Sequence, residues 1–87
     1  MKEVPWNKVI VEEFVALAML TKEEEMILRT RVAGWTITKQ AMEFGMSPST
    51  VSRIVARLKK KYDAVQKYSV LLPPRKASEV EDYLDSH

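Results

Sequence analysis

Residues 43–54 read EFGMSPSTVSRI, a glycine, a polar cluster and a proline set inside an otherwise helical pattern. Gly45 tolerates the positive φ that ends a helix. Ser47 carries the hydroxyl that caps the next one, and Pro48 fits its first position, where a missing amide hydrogen costs nothing. Two helices therefore meet at a tight turn. Ala41 supplies the small side chain needed where they cross, and Phe44, Met46, Val51 and Ile54 are spaced to lock the crossing. Two short helices joined by such a glycine-containing turn form a helix-turn-helix. The joint match is far more specific than any one of these residues.

Working outward, the second helix of the pair continues through STVSRIVARLKKKYDAVQKY to about Tyr68. LLPPR then stops it, because Pro73 and Pro74 supply no amide hydrogen to the ladder. The first helix of the pair spans Ile37 to Phe44, with Thr36 as its cap and Ile37, Ala41 and Phe44 on one face. Before it, LTKEEEMIL announces another helix. Thr21 and Glu24 complete a capping box, three consecutive glutamates favour the positive end of the dipole, and Gly34 ends the helix in the left-handed conformation. An apolar helix is expected over residues 5–19, with Pro5 in its first turn and a stripe too wide for one neighbour to cover. A short helix is expected over Glu79–Leu84. No stretch alternates like a strand, so the expected class is all-α. It comprises one domain of 87 residues with a tri-helical core at 20–61, an N-terminal helix at 5–19, an extended recognition helix and a C-terminal extension at 69–87.

Composition narrows the chemistry. There is no cysteine, and the one histidine is His87. No thiolate, zinc cluster or disulfide is available, and no nucleophile has a credible base partner, so an enzyme is not expected and neither is a metal or cofactor. Glu12 and Glu13 interrupt the apolar N-terminal stretch, which argues against a membrane span or signal peptide. A cytoplasmic protein is the simplest expectation, and no small-molecule effector is indicated.

The charge is unevenly placed. Residues 48–76 hold eight basic side chains and one acid, a net of +7, whereas residues 77–87 hold four acids and no Lys or Arg. A basic concentration of this kind is the footprint of a phosphate-backbone partner. At 100° per residue, Val51, Val55, Leu58, Tyr62 and Val65 share one side of the fourth helix. Opposite them lie Ser49, Ser52, Arg53, Ala56, Arg57, Lys60 and Lys67, a face whose basic residues before Lys67 lack acidic i, i+4 partners. Its first two turns are small and polar, which permits close approach to another surface. Such a helix fits the major groove of duplex DNA, about 12 Å wide, with its N-terminal half toward the bases. Ser49, Ser52, Arg53 and Arg57 are the expected base contacts. Thr36, Lys39, Ser47, Thr50, Lys60 and Lys61 are the expected phosphate contacts.

The run LTKEEEMILRTRVAGWT followed by A…GMSPSTVSRIVARLKKK resembles the helix-turn-helix of LuxR-type regulators and of sigma factor region 4. The matching positions are Leu20-Thr21, Glu24, Ile27-Leu28, Gly34, Ala41, Gly45-Met46-Ser47, Thr50-Val51 and the basic run after Leu58. The chain departs at Gln40, where those families place an aliphatic residue. The resemblance covers about half the chain and implies binding of duplex DNA through residues 48–58.

Trp35 is expected to pack the second helix on the third, and Trp6 to anchor the N-terminus. The apolar seam running on to Tyr62 and Val65, the wide N-terminal stripe and YSVLL together exceed what a lone helix-turn-helix can hide. Either the N-terminal helix and the C-terminal segment fold back onto the core, or a homodimer forms through them. A symmetric dimer would place two reading helices about 34 Å apart on a palindrome. The expected function is sequence-specific DNA binding by a small transcription regulator. The alternatives are an adaptor or anti-regulator that docks an acidic protein on the same scaffold, and the DNA-binding subunit of a recombination or packaging complex.

Overall fold

The computed structural model describes residues 4–75, and over them the chain is helical without a strand. The elements are α1 (Lys8–Ala18), α2 (Lys22–Val32), α3 (Ile37–Phe44) and α4 (Pro48–Gln66). The helix expected over Glu79–Leu84 lies outside the described residues. Among those described, no helix is long and apolar enough to cross a membrane.

The caps follow the local sequence at three of the four N-termini. Thr21 Oγ1 accepts from the Glu24 amide at 3.1 Å, and the Glu24 carboxylate accepts from the Thr21 amide at 3.0 Å, the reciprocal box expected there. Thr36 caps α3 through the Lys39 amide and Ser47 caps α4 through the Thr50 amide. Gly34 sits at φ +96° just beyond α2.

The first helix begins later than expected. Asn7 caps it by accepting from the Ile10 amide at 2.9 Å, which leaves Pro5 outside the helix. Val4 instead turns inward and is buried, and Trp6 packs on the core. At the other end, Met19 takes the left-handed conformation (φ 52°) that glycine usually fills.

The longest helix, α4, is the axis of the molecule and touches α1, α2 and α3. Its inward face is Val51, Ile54, Leu58 and Tyr62, all at most 1% exposed, with Val55 and Val65 at the margin. Phe14, Ile27, Leu28 and Leu72 are as deeply buried, and Val4, Ile10, Val11 and Ala41 join them in the core. Each such side chain contributes about 1.5–3 kcal/mol of apolar burial. Toward the C-terminal end of α4, Trp6, Phe14 and Tyr62 form an aromatic triad, with Phe14 and Tyr62 edge-to-face at 5.2 Å.

Where the helix stops is a tertiary decision. It ends at Gln66, several residues before the proline pair, and the chain reverses. Gln66 Nε2 donates to the Leu72 carbonyl at 3.1 Å and the Tyr62 hydroxyl donates to the Pro73 carbonyl. Ser69 Oγ donates to Glu13 on α1 at 2.5 Å, and Arg75 pairs with Asp63. Part of the surplus apolar surface is thus covered from within: Ile10, Val11 and Phe14 of α1 and Leu72 of the returning segment are buried. Val9, Leu17 and Met19 on the α1 side, and Tyr68, Val70 and Leu71 in the reversal, stay exposed.

Candidate nucleic-acid interface

The turn between α3 and α4 is built by its backbone. Gly45 stands at φ +65°, and its amide and that of Met46 both donate to the Ala41 carbonyl. A Cβ added at Gly45 would meet nothing within 4 Å, so positive φ, not space, is what demands glycine. Ser47 then starts α4, and Val51 and Ile54 join Ala41 in the core cluster. The start of α4 is therefore fixed by its inner side.

The outer side carries Ser49, Ser52, Arg53, Ala56 and Lys60, all exposed, with Asp63 and Lys67 further along. Among the described residues, Arg53 and Lys60 enter no ion pair. The guanidinium of Arg53 therefore has all its donors open to solvent.

Arg57 and Lys61 are placed differently. On the flank facing α2, Arg57 Nε lies 3.2 Å from Glu24 Oε2 and Lys61 Nζ lies 2.6 Å from Glu24 Oε1. Glu24 itself is 2% exposed. Burial by itself would raise its pKa, but the hydrogen bond from Lys61, the Thr21 amide and the Lys61 charge outweigh it and hold the carboxyl below its ordinary value. The acidic partner that Arg57 and Lys61 lack at i, i+4 is supplied by another helix. Two of the expected DNA contacts thus already hold α4 against α2, with Arg57 still half exposed beside the outer face.

At the far end of α3, about 12 Å along its axis from the turn, Thr36 and Lys39 form a separate group. Lys39 Nζ lies 4.5 Å from the Trp35 ring centroid, and Trp35 stacks on Phe44 at 5.8 Å. The backbone of Trp35 is tied to α2, its carbonyl accepting from Arg31 at 3.2 Å and its amide donating to the Thr30 carbonyl at 3.0 Å. Arg31, Gly34, Trp35, Thr36, Ile37 and Thr38 line a shallow depression there. Ser47 and Thr50 stand together at the start of α4, their hydroxyls 3.0 Å apart.

Gln40, the departure from the aliphatic pattern, is fully buried. Its Nε2 donates to the Ile27 carbonyl at 2.9 Å and to Thr30 Oγ1 at 2.8 Å, tying α3 to α2, while its Oε1 has no partner. Its role depends on residues ten and thirteen positions away, which no local pattern exposes. The capping-box signal did locate Glu24, but it could not indicate partners 33 and 37 residues further on.

No protein-family model, curated protein or solved structure matches this chain.

Proposed function

We propose that the protein binds duplex DNA sequence-specifically as a small transcription regulator, with α3 and α4 acting as a helix-turn-helix and residues 48–58 lying in the major groove. The observation that carries this reading is the outer face of α4. Its first two turns present only Ser49, Ser52, Arg53 and Ala56, so a flat surface can approach closely, and its cations have no internal partners there. Arg53 is the principal base reader, able to donate two hydrogen bonds to guanine, with Ser49 and Ser52 beside it. Arg57 reaches the same groove from the flank while held by Glu24. Ser47, Thr50 and Lys60 meet phosphates along the helix, and Thr36 and Lys39 meet the backbone from the N-terminus of α3. Lys61 supports from behind.

The test is selection of bound sequences from a random duplex library at two salt concentrations. Enrichment of a motif supports the reading, and a palindromic motif adds a two-fold pair of copies. Absence of binding even at low salt overturns it and points to an acidic protein as the partner of this face.

A further inference from the structure

Asp63, the acid within the basic stretch 48–76, lies on the outer side of α4, three residues after Lys60 and four before Lys67. Residues three and four apart are neighbours on a helix surface. Arg75, the last described residue, pairs with Asp63 through Nε at 2.9 Å and through Nη2. The main chain therefore departs from beside the cationic row, and the segment that follows, residues 77–87, carries Glu79, Glu81, Asp82 and Asp85 and no Lys or Arg. Glu79 is four residues beyond the anchor, a reach of about 13 Å, and Asp85 is ten residues beyond, about 33 Å when extended. Arg53 lies only about 15 Å along the helix axis from Asp63. Every cation of the outer face is within range.

We propose that the acidic segment 77–87 docks in cis on the outer face of α4, against Arg53 and Lys60, and competes with any polyanion for it. The docking stands on charge and connectivity; its effect on duplex binding rests on the function proposed above. A short tether gives an effective concentration on the order of millimolar. A segment whose intrinsic dissociation constant is about 0.1 mM would then cover the face roughly ten times out of eleven and weaken a competitor about tenfold.

The full chain and a variant carrying E79Q, E81Q, D82N and D85N would be compared by amide and side-chain NMR, then by binding to a random-sequence duplex. The expected result is a shift of the Arg53 and Lys60 resonances between the two, independent of protein concentration and lost in high salt, with duplex affinity about tenfold higher for the variant in low salt. Shifts confined to residues beyond Pro73 would overturn the proposal, as would shifts that grow with concentration, which would assign the contact to a second copy. Equal duplex affinities for the two chains would overturn the competition. If neither chain binds DNA, the functional reading fails and the NMR comparison alone decides the docking.

Discussion

Replacing Glu24 by glutamine keeps the shape of the side chain and removes the charge that Arg57 and Lys61 both meet. Breaking a buried pair from one side is costly, although these two cations are partly exposed, which softens the loss. We expect E24Q to be less stable by about 1–3 kcal/mol in urea denaturation; a change within about 0.5 kcal/mol would show that the network contributes nothing. The sign with pH is fixed. Because the folded-state pKa of Glu24 is depressed, its stabilisation is present above the unfolded-state value near about 4.3 and is lost as pH falls through the folded-state value. The acid limb of the stability curve should flatten in E24Q. The two outer-face cations should separate by chemistry. Arg53→Ala should cost about 1–3 kcal/mol on a selected site and much less on random DNA, whereas Lys60→Ala should weaken both alike. Equal losses for Arg53→Ala on the two would remove it from base reading.

Within the elements, the left-handed caps that end α1 and α3 make opposite predictions. Gly45 needs its positive φ, so Gly45→Ala should destabilise by about 1 kcal/mol through backbone strain alone, since the added methyl meets open space. Met19 bears that strain already at φ 52°, and Met19→Gly should be neutral or stabilise by up to about 1 kcal/mol. Thermal melts of both variants check the pair; equal signs would contradict it. The extents of α2 and α3 and the starts of all the helices but α1 were legible because caps are written within four residues of one another. The start of α1 was not, because Pro5 and Asn7 are both acceptable near a helix start and the burial of Val4 and Trp6 decides between them. The end of α4 was not, because the chain reverses at Lys67 to bury Leu72 and bring the Pro73 carbonyl to the Tyr62 hydroxyl, a choice made by packing before either proline is reached.

At the scale of the whole molecule, the returning segment joins α4 to α1, held by the Tyr62 hydroxyl at the Pro73 carbonyl and by Ser69 at Glu13. Burial, then the nearby Asp63 carboxylate, pushes the Tyr62 hydroxyl up to about 12. A group raised in the folded state stabilises fully below its unfolded value near about 10 and ceases to do so as pH rises through its folded value. The protein should therefore weaken between those two values, and Tyr62→Phe, at a cost of about 1 kcal/mol at neutral pH, should lose that alkaline step. Denaturation midpoints across this range give the answer, with an unchanged step in the variant as the contrary result. The face that the sequence marked as outward is the outward face of α4, but its division into free and internally paired cations became visible only when α2 was set beside it. That division bears on the central claim.

The most direct measurement is affinity for a random-sequence duplex as a function of salt, for the native chain, Lys60→Gln and Lys61→Gln. Binding through the outer face predicts that log K falls linearly with log salt between about 50 and 200 mM, with a slope of several and a reduction of about one in Lys60→Gln. Lys61→Gln, already committed to Glu24, should change the slope little. A flat salt dependence, or no binding at the lowest salt, would contradict duplex DNA as the partner of this face.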